Sequence, residues 1–166
     1  MTMQTQAEAR IWEALREVPD PEIPVLSVVD LGIVRHASMD GDGAVRIGVS
    51  PTYSGCPATE VIRASVGQAL REAGFERVEV SDVLSPPWTS DWITEEGRRK
   101  LREYGIAPPA QSVSSPKRLL RSELSIACPR CGSRETTRVS EFGSTPCKAL
   151  YRCTSCLEPF DHFKCH

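Results

Sequence analysis

The first elements of the chain can be read from the spacing of its apolar residues. Over 7–18 a helical stripe holds four apolar side chains, Ile11, Ala14, Leu15 and Val18, and Pro19 then ends the predicted helix. Residues 25–38 are rich in aliphatic and β-branched side chains and predict a strand. Apolar residues alternate over 45–49 after a glycine-rich turn, so we expect these two segments to form a hairpin.

A second helix and a third strand should follow. Pro57 stands where a helix would begin, and apolar residues recur at helical spacing over 61–73. Valines at intervals over 78–83 predict a strand, and a last helix is expected over 90–104. The order α-β-β-α-β-α therefore predicts one small α+β domain over 1–105.

The remainder of the chain has a different composition. Residues 106–120 are rich in proline, serine and alanine and predict a linker. In the segment 121–166, two Cys-x-x-Cys pairs are separated by 21 residues: Cys128 with Cys131, and Cys153 with Cys156. Two such pairs can hold one ion, with sulfurs about 2.3 Å from a zinc. Strands between the pairs would bring them together, so the predicted fold class is α+β with a C-terminal β zinc ribbon.

We expect the four-cysteine site to be structural. All four ligands come from the protein, which leaves no open position for catalysis. The segment has few apolar residues, so metal binding should be coupled to its folding. A rubredoxin-like iron site and a redox-active dithiol pair are the alternatives. Cys147 is most simply a buried side chain, and the Cys165-His166 pair is an alternative source of the fourth ligand.

Cys56 is a second candidate for chemistry. With Pro57 at the first helical position, the thiol of Cys56 would lie at or near the N-cap of the helix. The positive end of the helix dipole favours a thiolate there, which is a nucleophile or a metal ligand. The equal alternative is a buried cysteine that packs under the start of the helix.

Two acidic residues could assist Cys56. Asp20 and Glu22 lie in the rigid loop Asp-Pro-Glu-Ile-Pro, and together with a thiolate they could share a metal ion or position a proton. A solvated loop is the alternative. Asp30 interrupts an apolar segment, so its carboxylate should accept hydrogen bonds.

Composition and charge narrow the class of function. The 166 residues include seven cysteines, no apolar run of about 20 residues and no signal-peptide pattern, so we expect a cytoplasmic protein with metal-bound or reactive thiols. Residues 1–104 carry 11 Lys/Arg and 17 Asp/Glu, and the rest of the chain has no clustered basic stripe. Nucleic-acid and membrane binding are therefore not expected. Phosphate-binding glycine motifs are missing too, and we predict no catalytic residue.

Four segments resemble a known family. Asp20–Pro24, Val28–Val34, Pro51–Thr59 and Pro86–Trp92 are similar to the iron–sulfur-assembly domains that include the bacterial SufT-type proteins. The resemblance covers roughly residues 7–105. The family usually has Pro-Gly before its Cys-Pro pair, whereas this chain has Ser54-Gly55, which affects the shape of the loop more than the thiol chemistry.

The tail narrows the resemblance. Residues 142–165 are similar to the tail of the PaaD (PaaJ) family, accessory components of the bacterial phenylacetyl-CoA 1,2-epoxidase system. The resemblance implies a non-catalytic maturation factor in aerobic phenylacetate breakdown that assists iron–sulfur cluster assembly. One structural zinc would occupy the ribbon, and Cys56, with Asp20 and Glu22 shaping its site, would transiently hold iron or a cluster. The partners would be an iron–sulfur reductase or other epoxidase subunits, with a homodimer as a further candidate. A stable structural subunit of the oxygenase complex is the alternative.

Overall fold

The computed structural model describes residues 3–53, 55–110 and 126–164. The helices are α1 (Met3–Arg16), α2 (Ala58–Glu72) and α3 (Glu95–Tyr104). The strands are β1 (Val34–Met39), β2 (Val45–Val49), β3 (Val78–Asp82), β4 (Ile106–Ala107), β5 (Thr136–Ser140), β6 (Lys148–Cys153) and β7 (Pro159–Phe163). They form two compact units, with the boundary between Gly97 and Arg98.

The first unit is built on a three-stranded sheet with the order β1-β2-β3. β1 and β2 pair antiparallel, which confirms the predicted hairpin. β2 also pairs parallel with β3, and helix α2 connects these two strands. Apolar side chains of α1, β2 and α2 fill the core, among them Ile11, Leu15, Ile47 and Leu70, all fully buried. The predicted order of helices and strands and the α+β class are confirmed over α1 to α3.

Two predicted elements are shorter than expected. The strand expected over 25–38 starts only at Val34, because hydrogen-bonded turns occupy the preceding residues. The helix expected over 90–104 is interrupted. Residues Ser90–Trp92 form a 3₁₀ turn, Ile93 is extended (φ −62°, ψ 126°), and α3 begins at Glu95. The hydroxyl of Thr94 accepts from the backbone N–H of Gly97 at 3.0 Å and so caps the new helix start.

The second unit holds a four-stranded sheet with the order β4-β7-β6-β5. β5, β6 and β7 are antiparallel neighbours, and the two-residue strand β4 lies parallel to β7. The predicted linker over 106–120 therefore begins later than expected. Ile106 and Ala107 complete the edge of this sheet and are 5% and 1% exposed, so burial favours pairing over a free linker. The predicted linker residues 111–120 lie outside the described part of the chain.

In the described ranges, no helix is both long enough and apolar enough to cross a membrane.

Candidate metal centre and the Cys56 loop

Four cysteine sulfurs converge at one end of the second sheet. Cys153 ends β6 and Cys156 follows in a turn, while Cys128 and Cys131 lie in a turn before β5. All four sulfur atoms lie within 4.8 Å of one another. The Cys128–Cys156 sulfurs are 3.7 Å apart and the Cys131–Cys153 sulfurs 3.6 Å. Four sulfurs at 2.3 Å around a tetrahedral zinc would be about 3.8 Å apart, so the arrangement fits one tetrahedral ion.

Each cysteine pair is shaped by a tight backbone turn. Gly132 and Leu157 each follow the second cysteine of a pair, and both have positive φ, 74° and 66°. Gly132 adopts this conformation without strain, whereas Leu157 is a non-glycine residue in the left-handed region, which costs roughly 1–2 kcal/mol. The N–H of Gly132 donates to the carbonyl of Cys128 at 2.9 Å, which closes the first turn.

A backbone hydrogen bond favours the thiolate at Cys153, although the desolvation that accompanies burial opposes it. Cys128 and Cys153 are 2% and 0% exposed and share a small apolar cluster with Ala107 and Phe160. The N–H of Cys156 points to the sulfur of Cys153 at 3.5 Å, and this hydrogen bond lowers the pKa of Cys153 to about 6. A lowered pKa favours the thiolate, which is the form that binds metals. The cluster therefore has the donor set and the geometry of a four-sulfur metal site.

The other cysteines near the ribbon do not enlarge this site. Cys147 is buried, as expected, and its sulfur lies 3.0 Å from the hydroxyl oxygen of Thr145. Cys165 and His166 fall outside the described residues. In the described part of the chain, the four-cysteine cluster is the one group of three or more His, Cys, Asp or Glu residues close enough to share a metal ion.

Cys56 lies in the loop that leaves β2 and enters α2. The helix begins at Ala58 with Pro57 as its N-cap, so Cys56 is one residue farther from the helix than the sequence predicts. The N–H of Cys56 donates to the carbonyl of Tyr53 at 3.3 Å, and its own carbonyl accepts from the N–H of Thr59 at 3.2 Å. These bonds fix the backbone around a half-buried thiol at the carboxyl ends of the parallel strands β2 and β3, a common place for sites in α/β units.

The side chain of Asp20 is hydrogen-bonded within its own loop. Its side chain is 6% exposed, and its Oδ1 accepts from the backbone N–H groups of Glu22 at 2.9 Å and Ile23 at 2.7 Å. Asp20 therefore holds the turn of its own loop. Cys56, Asp20 and Glu22 are not brought together as a set of metal ligands among the described residues.

The carboxylate of Asp30 accepts a hydrogen bond, as predicted, and two further contacts in the first unit were not evident from the sequence. Asp30 accepts from the N–H of Ser27 at 3.0 Å, and the hydroxyl of Ser27 accepts from the N–H of Asp30 at 3.0 Å. The indole N–H of Trp88 donates to the carbonyl of Leu31 at 2.9 Å. The guanidinium of Arg35 lies 3.4 Å from the ring centroid of Trp92. No local pattern reveals the last two contacts, because each joins residues more than 50 positions apart.

Comparisons with known proteins agree with this two-part architecture. A family model described as "Iron-sulfur cluster assembly protein" matches residues 8–81, and one described as "PaaD zinc beta ribbon domain" matches residues 112–164. The solved "Domain of Unknown Function DUF59 from Bacillus anthracis" is 27% identical, with a TM-score of 0.55 over 59% of this chain and 93% of that one. These matches define the class: an iron–sulfur-assembly-type domain followed by a PaaD-type ribbon.

Two proteins of similar sequence define the class more closely. A protein of Escherichia coli (strain K12), named as a putative subunit of 1,2-phenylacetyl-CoA epoxidase, is 55% identical over 155 residues, 93% of this chain and 91% of the relative. The "Fe-S protein maturation auxiliary factor YitW" of Bacillus subtilis (strain 168) is 38% identical over 100 residues, 60% of this chain and 97% of the relative. The chain belongs to the PaaD family, together with the Escherichia coli protein.

Proposed function

We propose that this protein is a non-catalytic accessory factor that assists iron–sulfur cluster assembly in a phenylacetyl-CoA 1,2-epoxidase system for aerobic phenylacetate breakdown. The observation that carries the proposal is the joining of two modules in one chain. The first is similar over nearly its whole length to a maturation auxiliary factor, and the second is of the PaaD ribbon type. The relative that spans almost the entire chain is named as an epoxidase subunit. The client would be an iron–sulfur reductase or another epoxidase subunit.

In this proposal Cys56 is the residue that handles iron or a cluster. Its thiol is half-buried rather than enclosed, and the backbone on both sides of it is hydrogen-bonded, so the sulfur has a defined position and partial access to solvent. Cys56 is not a member of the four-cysteine cluster. Asp20 would contribute indirectly by holding its own loop, and Glu22, which is partly buried in that loop, is the remaining acidic candidate.

We assign zinc to the ribbon and a structural role to that zinc. The donor set is four sulfurs, and the spacings of 3.6 and 3.7 Å suit tetrahedral coordination. Four protein ligands complete the coordination shell, so no position is left for a substrate. Iron in a rubredoxin-like site would have the same donors, and metal analysis separates the two.

The test is metal and acid-labile sulfide content of anaerobically purified protein, wild type beside Cys56→Ser. We expect about one zinc per chain in both proteins, and iron with sulfide only in the wild type. The second arm loads the reductase with its cluster in the presence of each protein. Full cluster loading by Cys56→Ser would refute the role of Cys56. Zinc alone in both proteins would instead favour docking or thiol transfer by the first unit.

A stable structural subunit of the oxygenase complex is the second candidate. The name of the Escherichia coli relative, which calls it a subunit, favours this alternative. Purification of the epoxidase from its native source separates the two. A fixed stoichiometry of this chain through several columns would indicate a permanent subunit, whereas its loss once the clusters are assembled would indicate a transient factor.

A further inference from the structure

The loop between β5 and β6, residues 141–147, is held firmly by its own backbone. The N–H of Gly143 donates to the carbonyl of Lys148 at 2.7 Å, and the N–H of Lys148 donates to the carbonyl of Thr145 at 3.0 Å. At the start of the loop, the N–H of Phe142 donates to the hydroxyl of Ser140 at 3.3 Å. The loop therefore has one defined shape.

Strand β7 anchors the same loop from the side. The hydroxyl of Ser144 donates to Oδ2 of Asp161 at 2.7 Å, and the ammonium of Lys148, itself 5% exposed, lies 3.8 Å from the same oxygen. Gly143 is pressed so closely against this strand that an added Cβ would collide with Oδ1 of Asp161. A buried lysine, its carboxylate partner and a closely packed glycine thus all contribute to holding one short loop.

The apolar side chain that this loop carries is nevertheless left in solvent. Phe142 is 62% exposed, and Val139, at an irregularity in the pairing of β5 with β6, is 59% exposed. The ammonium of Lys164 lies 4.4 Å from the Phe142 ring centroid and donates to the carbonyl of Glu141 at 3.1 Å. Among the described residues Lys164 has no carboxylate partner, whereas Arg138 is paired with Glu141 at 2.9 Å.

We propose that Phe142, Val139 and Lys164 form a docking surface for a partner protein that offers an apolar pocket edged by a carboxylate. This inference rests on the proposed function, and the partner is one of the other epoxidase subunits. Aromatic side chains, phenylalanine among them, are enriched in the cores of protein interfaces relative to the rest of the surface. Because the loop is already ordered, the partner would not have to supply the free energy of ordering it.

The charges favour a protein partner over nucleic acid. The carboxylate of Glu141 neutralises Arg138, which leaves Lys164 as a single cation beside the ring rather than one of a basic stripe. A single ammonium next to an aromatic ring is complementary to one carboxylate at the rim of an apolar pocket.

The test measures binding of the full-length, metal-loaded protein to the purified remaining subunits of the epoxidase. We expect Phe142→Ala to weaken binding at least 10-fold, equivalent to about 1.4 kcal/mol, and Lys164→Glu to weaken it in the same direction. Tyr104→Ala is the matched control, because Tyr104 is an aromatic residue that is also 62% exposed. It should change binding less than 2-fold. Metal content and circular dichroism of all three variants should equal those of the wild type.

Three other outcomes would refute the inference. If the wild type binds and Phe142→Ala binds equally well, the docking surface is wrong while the proposed function stands. If the wild type binds none of the remaining epoxidase proteins, the proposed partner and the docking surface both fail. If Phe142→Ala instead abolishes self-association in sedimentation, or binding of a single-stranded oligonucleotide, the surface serves a second copy or a nucleic acid and the inference is refuted.

Discussion

The ribbon should lose stability in mild acid because one histidine is buried in its neutral form. His162 on β7 is 7% exposed, and its Nε2 has no hydrogen-bond partner among the described residues. Its ring meets the Tyr151 ring edge-on at 5.4 Å between centroids. Desolvation by burial lowers the pKa of His162 from 6.5 to about 4, because the charged imidazolium would lose its hydration without gaining a partner.

The size of the effect follows from this shift. The unfolded chain takes up the proton near pH 6.5 and the folded chain only near pH 4. The ribbon therefore has its full stability above pH 6.5, and this stability falls as the pH is lowered from 6.5 to 4. At 1.36 kcal/mol per pKa unit, the free energy of unfolding should fall by about 2 kcal/mol between pH 7 and pH 5.

The assay is urea unfolding of the zinc-saturated protein at pH 7 and pH 5, followed by the amide NMR signals of β6 and β7. The control is His162→Leu, which removes the titrating group and its unpaired nitrogen. It should lose little stability at pH 7 and should lack the fall of about 2 kcal/mol at pH 5. Any loss of stability in acid that both proteins share is due to protons that compete with zinc for the thiolates. Equal pH dependence in wild type and variant would refute the argument.

Two further substitutions test the fold and the metal centre. Gly32→Ala should destabilise the first unit by about 2 kcal/mol or more in urea unfolding followed by tryptophan fluorescence, because φ is +65° and an added Cβ would collide with the carbonyl oxygen of Trp92. Gly41→Ala, with nothing within 4 Å of its Cβ, is the matched control and should be nearly neutral. Cys153→Ser should reduce bound metal from one ion per chain to a small fraction, whereas Cys147→Ser should keep it. Unchanged metal in Cys153→Ser would contradict the four-sulfur site.

Sequence patterns predicted the helices and strands well where neighbouring residues decide the outcome. The stripe containing Ile11 and Leu15 is buried, as its helical spacing indicates. The hairpin of β1 and β2 and the helix after Pro57 are also present. Prediction failed at Ile93, where an extended residue divides the expected helix, and at Ile106, where an expected linker residue is part of a strand. Both depend on partners that lie elsewhere in the chain.

The candidate sites divide in the same way. The spacing of two Cys-x-x-Cys pairs is typical of a shared metal site, so the sequence alone locates the cluster. For Cys56 the sequence predicts the loop, and the structure adds its hydrogen bonds and partial burial. The bonding of Asp20 within its own loop was not predicted, because an acidic residue between two hydrophobic segments has the same sequence pattern whether it holds a turn or a ligand.

Periodicity and the spacing of close neighbours were enough to predict the order of elements, the four-cysteine cluster and the two-module organisation. Three other features appear only in the folded chain: the buried Nε2 of His162 has no hydrogen-bond partner among the described residues, Phe142 is exposed on an anchored loop, and Arg35 contacts Trp92. These features depend on which distant segments meet, and at what register. That choice is made by burial and hydrogen bonding across the whole chain, which local composition does not record.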